Sequence, residues 1–386
     1  MFYNVGMEAF EKLKLLTSQM HLEPVEDINC LQLPSRKQDK ITVSSAILPN
    51  GKRISLLKSQ LSTICERNCY YCPFRAGRDF QRASFIPEEF AKIFMSLYTA
   101  RVADGIFLSS GIFSNGIVTQ DKLLDTADIL RNKLSYRGYI HLKIMPGAEF
   151  AQVEKAMQLA DRVSINLEAP TKERLEMLAP RKQFVEELVE PLKWVQQIRI
   201  SQPQSKGWKG HWPSSVTQFV VGAVGESDLE LMVTTEYLYK ILHLKRTYFS
   251  SFNPIIDTPL ENIPPSSPKR ELRLYEASFL LRDYGFFMEE LPFDSSGQLP
   301  LDKDPKYAWA TQNLLEHPVE INHADKHLLL RIPGIGPKIA ENILKERFKN
   351  KLSKPEELSK FGINLKRAAP FLLVNGKRIA YQISYL

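Results

Sequence analysis

Residues 54–72 read ISLLKSQLSTICERNCYYC: an apolar run that ends in three cysteines, Cys65, Cys69 and Cys72. A short β-branched or leucine-rich run closed by a polar cluster is the pattern of a buried strand. Five more such runs follow: GIFLSSG (105–111), YIHLKIMPG (139–147), RVSINLEAP (162–170), VTQFVVGAVG (216–225) and RTYFSSFNP (246–254). Amphipathic helical segments separate them. PEEFAKIFMSLYTARV opens with Pro87 at a first helical position, TQDKLLDTADILRNKL starts from Thr119 as N-cap, and SDLELMVTTEYLYKILHL starts from Ser227. A sixth helix, SPKRELRLYEASFLLRDYG, follows the last run. Six strand–helix units in series predict an α/β fold with a parallel sheet, although periodicity does not separate an open sheet from a barrel. The cysteines then stand just past the first strand, at the carboxyl edge where such sheets carry their chemistry.

The rest of the chain sets limits. With 386 residues, 44% hydrophobic and 25% charged, the composition argues against a disordered or fibrous protein. No apolar run approaches the ~20 residues of a spanning helix, and the start, MFYNVGMEAFEKLKLL, is amphipathic rather than signal-like. Four cysteines in so long a chain make no disulfide framework, so a reducing cytoplasm and no membrane partner are expected. Cys30, isolated, reads as a small buried hydrophobe. The expected domains are an N-terminal extension (1–50), an α/β unit (51–285), a Pro-, Asp- and Ser-rich connector (286–305) and a basic helical domain (306–386). The net charge of +7 has an address: residues 306–386 hold 14 Lys+Arg against 7 Asp+Glu, which leaves the remainder balanced.

Three thiolates this close together suit a soft metal or iron–sulfur iron. A structural zinc site is the alternative, but it usually takes four ligands in pairs, and no second Cys-x-x-Cys or His pair lies nearby. The C-x3-C-x2-C spacing, with Tyr71 before the third cysteine, resembles the signature of the radical S-adenosylmethionine (radical SAM) superfamily. That resemblance implies a [4Fe–4S] cluster on Cys65, Cys69 and Cys72, whose open iron chelates S-adenosylmethionine. It further implies an electron donor, reductive cleavage to a 5′-deoxyadenosyl radical, and a partial (β/α)6 barrel. Tyr71 would lie against the adenine. Ser109, Ser110 and Gly111 stand where the family has a Gly-Gly-Glu-like turn, here without its acid. Asn166 and Glu168 match a polar cofactor contact, and Gly222 and Gly225 match the glycine-containing motif beside the adenine. Lys143 either snorkels or pairs with a carboxylate or phosphate. Arg75, Arg78 and Arg82 either face a phosphate or are solvated.

The C-terminal stretch LLLRIPGIGPKIAENIL (328–344) joins two helical patterns through Gly334 and Gly336, with Pro337-Lys338 opening the second helix. Glycines bring backbone amides close to a ligand, and a helix N-terminus attracts phosphate. This resembles the helix-hairpin-helix motif. A degenerate copy follows at 354–373, in which Gly362 and Asn364 take the glycine positions. Asparagine there is the non-glycine residue that best tolerates left-handed angles. Lys366 and Arg367 take the places of Pro337 and Lys338. The resemblance implies a small all-α domain that grips DNA, or RNA, by its phosphates. The whole pattern resembles the putative DNA modification or repair radical SAM proteins, which implies a uracil-DNA-glycosylase-like partner. RNA modification is the rival activity, although no cysteines remain for the second cluster of a methylthiolase. A catalytically dead, metal-containing DNA-binding protein is the non-enzymatic rival. The loop SKGWKGHWP (205–213) interleaves Trp208 and Trp212 with cations and either stacks bases or packs on the barrel.

Overall fold

The computed structural model describes residues 8–18, 20, 41, 43–48 and 51–380; Cys30 lies outside them. The six expected strands form, as β2 (Arg53–Gln60), β3 (Gly105–Ser109), β4 (Tyr139–Lys143), β5 (Arg162–Ser164), β6 (Ser214–Val221) and β7 (Arg246–Ser251). Each pairs in parallel with the next in the chain. One further strand, β1 (Val43–Ile47), joins β2 antiparallel from within the stretch read as an extension. The order β1 to β7 is linear, so the sheet is an open half-barrel. β3 and β5 are buried throughout, as strands covered on both faces must be.

Helices return the chain between strands. Pro87–Thr99 begins with Pro87 at its first turn, as expected. The helix assigned to Thr119 starts earlier, at Gly116: Asn115 caps it by accepting from Val118 N, while Thr119 bonds backward to Phe113 O and Asn115 O. Gly116 permits this early start because a Cβ there would collide with Pro146 O. Ser227 caps its helix as expected, accepting from Glu230 N at 3.1 Å while the Glu230 carboxylate accepts from Ser227 N.

The chain divides into two units, residues 1–226 with 237–266, and residues 227–236 with 267–386. The helix Pro268–Asp283 and the stretch 286–305 fall in the second. That unit has its own core, from Ala310 through Ile332, Ile335 and Ile343 to Phe371 and Leu372. It is not all helical. Val319–Glu320 (β8), Leu372–Val374 (β9) and Lys377–Arg378 (β10) form a small sheet in the order β10-β9-β8. Strands of two and three residues carry no readable periodicity, which is why the sequence predicts only helices there.

Candidate functional site

Residues 61–75 leave β2 and are bound on both sides by backbone. Gly111 N donates to Ser62 O at 2.7 Å, and Glu66 N donates to Ile112 O at 2.7 Å. A Cβ on Gly111 would stand 2.3 Å from Ile64 O, so only glycine admits the cysteine loop this close. The Gly111 amide is therefore engaged within the protein. Ser110 Oγ likewise donates to Gly111 O. The three arginines expected to face phosphate or water instead brace this loop. Arg82 donates to the carbonyls of Thr63, Phe74, Arg75 and Arg78, while Arg78 reaches Pro73 O and Ile256 O and Arg75 lies over Tyr70.

A second segment, 178–187, clamps the loop from the other side. Tyr70 N donates to Leu178 O, Arg67 reaches the Glu187 carboxylate at 2.6 Å and Arg181 O, and Arg181 donates to Glu66 O. Lys182 is its most telling member: Nζ stands 3.1 Å from Tyr71 Oη and 3.0 Å from Glu168 Oε1. Sequence reasoning passed over this lysine because PRKQF (180–184) looks like a solvated turn.

Cys65, Cys69, Tyr71, Cys72, Ser109, Ser110, Gly111, Lys143, Asn166, Glu168 and Lys182 line one cavity at the carboxyl ends of the strands. Lys143 is half-buried on the cavity wall, and its charge acts on Glu168. Glu168 has φ +65°, a left-handed backbone that side chains other than glycine rarely adopt. Backbone bonds hold it there, from Glu168 N to Gln218 O and from Val220 N to Glu168 O. Burial pushes its carboxyl up, but Lys182 and Lys143 outweigh that and hold it below the ordinary carboxylate range. Burial would lower Lys182, yet Glu168 raises it. The site therefore keeps one buried carboxylate and its ammonium partner charged.

Gly222 and Gly225 are not among the lining residues. They adopt φ +94° and +72°, and the buried Glu226 carboxylate accepts from Gly222 N and Val224 N, so they shape a loop closed on itself. Trp208 is also removed from the cavity: Arg131 packs at 3.9 Å over its ring, and Lys209 Nζ bonds Arg137 O. Arg131 binds Gly138 O and Asp161 at the starts of β4 and β5, the end of the sheet opposite the cysteines. The loop packs on the barrel.

Burial raises the thiols of Cys69 and Cys72, and the sulfurs raise one another. None is in a disulfide. Three thiols in one chamber, two of them raised by burial, are the donor set that an iron–sulfur cluster satisfies. Among the described residues no three His, Cys, Asp or Glu side chains close on a single ion; a four-iron cluster binds each thiolate to a different iron.

In the second unit, Gly334 has φ +87° and Gly362 +78°. These two glycines make the turns. Gly336 (φ −99°) and Asn364 (φ −75°) are N-caps with ordinary backbone, so the left-handed role expected of Asn364 falls to Gly362 alone. The hairpins abut: a Cβ on Gly334 would stand 3.3 Å from Asn364 O. Pro337–Lys349 is a full helix with Lys338 exposed at its start. The matching helix of the second copy, Leu365–Ala368, is one turn long, and Arg367 is tied to Asp304. Lys366 remains exposed.

Comparison with known proteins bears on both units. Residues 59–237 match the model of the radical SAM superfamily, and residues 316–367 match a helix-hairpin-helix motif. Similar solved structures include methylornithine synthase, at 16% identity and TM-score 0.46, covering 59% of this chain and 61% of that one. The [FeFe]-hydrogenase maturase HydG of Carboxydothermus hydrogenoformans is 16% identical with TM-score 0.45, covering 59% and 51%. The radical S-adenosylmethionine methyltransferase TsrM of Kitasatospora setae is 14% identical with TM-score 0.41, covering 53% and 38%. The chain thus spans less than two thirds of each. No curated protein matches it. No helix among the described residues is long and apolar enough to cross a membrane.

Proposed function

We propose, from the premise that residues 59–237 make this chain a member of the radical SAM superfamily, that it turns a 5′-deoxyadenosyl radical on nucleic acid, most directly DNA. The cofactors of the superfamily are a [4Fe–4S] cluster and S-adenosylmethionine, which together supply the radical by reductive cleavage. Cys65, Cys69 and Cys72 would hold the cluster. Lys182 and Lys143, the cations on the wall, would face the carboxylate of the methionine part, and Glu168 and Asn166 would take its hydroxyl and amino donors. Tyr71, oriented by Lys182, would bear on the adenine. The braced loop and the segment 178–187 keep these groups in place.

The observation that carries the nucleic-acid half is the hairpin pair. Two left-handed glycine turns abut, each followed by an exposed lysine, within the basic fifth of the chain. Such turns present backbone amides to phosphates, which gives salt-dependent affinity without sequence choice. The second helix is a single turn, so Gly334, Gly336 and Lys338 would carry most of the grip, with Gly362, Asn364, Lys366 and Arg367 in support. Repair or modification of a base, in the cytoplasm and beside a uracil-DNA-glycosylase-like partner, is the finer form of this reading.

Two measurements test it. Anaerobic reconstitution should give an oxygen-sensitive brown protein with about four irons per chain that cleaves S-adenosylmethionine under a reductant, and Cys69→Ala should abolish both. A colourless wild-type chain would end the enzymatic reading. Binding to a short DNA duplex should weaken steeply with salt, and Lys338→Gln should lower the slope of log affinity against log salt by about one. A slope untouched by Lys338→Gln and Lys366→Gln together would remove the hairpins from the interface.

A further inference from the structure

The side chains of two glutamines in the cavity take no part in the Lys182–Glu168–Tyr71 network. Gln60 ends β2 and Gln218 lies within β6, four strands away in the sheet order; they are 7% and 5% exposed. Both line the chamber that holds the cysteines. Among the described residues, neither side-chain Oε1 has a hydrogen-bond partner. Native proteins rarely bury a carboxamide oxygen unpaired, because it loses its water and gains nothing in return. Two such groups on one cavity indicate a ligand that supplies the missing donors.

The chemistry of that ligand follows from what surrounds it. Glu168 is the sole carboxylate among the lining residues and already holds Lys182; the lining cations are Arg67, Lys143 and Lys182. Charged ligand groups therefore have ionic partners elsewhere on the wall. A carboxamide is neutral and offers acceptor and donors in one plane, which suits an edge carrying an N–H donor beside an oxygen or ring-nitrogen acceptor. Purine and pyrimidine edges have that form, and glutamine reads them through paired bonds. Phe74 and Phe252 line the same chamber and give apolar faces against which a planar ring stacks.

We infer that the cavity takes one nucleobase of the substrate, unstacked from its strand, with its edge read by Gln60 and Gln218. This rests on the proposed action on nucleic acid and deepens it by assigning base specificity to two residues. The adenine of S-adenosylmethionine shares the same edge chemistry, so the test must separate the two sources.

The reconstituted holoenzyme, saturated with S-adenosylmethionine, is dialysed to equilibrium against each tritiated deoxynucleoside: deoxyadenosine, deoxyguanosine, deoxycytidine, thymidine and deoxyuridine. One of them should bind preferentially. Gln60→Leu and Gln218→Leu should each weaken it about tenfold, and Gln218→Glu should change which nucleoside is preferred, an effect that mere packing damage does not produce. Iron content and melting temperature report whether each variant has folded, and the Glu variant, closest in shape, stands in if the Leu variants do not. The inference is overturned if a holoenzyme that cleaves S-adenosylmethionine binds no nucleoside, or if the substitutions weaken S-adenosylmethionine as much as the nucleoside. A wild-type chain that takes up no cluster sinks the underlying reading, and that failure is visible before any nucleoside is added.

Discussion

Each unit buries a lysine, and the two are shifted in opposite directions. Lys182 in the half-barrel has a carboxylate 3.0 Å away, which outweighs burial and keeps the ammonium charged. Lys306 in the hairpin unit has none that close: its Nζ donates to Ile335 O and lies 4.6 Å from the Tyr284 ring centre. Burial lowers its pKa to about 7; Asp304 opposes the shift, while Arg331 and Arg367 add to it. Burial alone does not set the charge of a lysine; the charge of its nearest partner does. In the cavity this builds a permanent ion pair beside the thiols. In the other unit a lysine that is largely uncharged above neutral pH ties down the carbonyl of Ile335, within the first hairpin.

Breaking the ion pair should have the largest effect. Glu168→Ala leaves Lys182 buried and unpaired and should destabilise the half-barrel by about 3–5 kcal/mol, seen as a lower denaturant midpoint; Glu168→Ala with Lys182→Met should recover much of this. No recovery would show that Glu168 acts mainly through its left-handed backbone position.

The lysine without a carboxylate should reveal itself in pH dependence. The unfolded lysine titrates near 10.5 and the folded one near 7, so between these values the unfolded chain binds more protons. The contribution of Lys306 to stability should therefore rise with pH from about 7 to about 10.5 and level off on either side. Lys306→Met should flatten that rise in urea titrations of the full chain. An unchanged profile would mean that the amine stays charged.

The smallest effect is expected at Trp208. Its ring is covered by Arg131, a cation–π contact of about 1 kcal/mol, and it sits at the sheet end away from the cysteines. Trp208→Ala should lower the melting temperature slightly and leave DNA affinity unchanged in a gel-shift titration. A loss of affinity would restore base stacking to this loop.

Much of this was legible in the residues because it depends on local pattern. The six parallel strands show as short apolar runs, Pro87 and Ser227 mark their helices, and three cysteines in one loop declare thiolate chemistry. Gly334 and Gly362 are turn glycines in any reading. Three things were not legible. Lys182 reaches Tyr71 across 111 residues and Glu168 across 14, and nothing in PRKQF distinguishes it from a solvated lysine. Gly222 and Gly225 matched a motif by order along the chain, yet they are not among the residues that line the cavity, and Glu226 binds the amides of their loop. Arg82 looked like an available cation until four carbonyls surrounded it.

The division has a physical cause. Periodicity, turn glycines and ligand spacing are properties of neighbours in the chain, so the sequence by itself determines the strand order, the cysteine loop and the hairpins. Which cations remain exposed to an anion, and which buried amides lack a partner, depends on atoms brought together from distant segments. Of the 14 Lys and Arg in the last fifth of the chain, Lys306 and Arg331 are buried and bonded within the protein, while Lys338 and Lys366 stay exposed at the hairpins. Only the tertiary structure made that selection, because desolvation and pairing act through space.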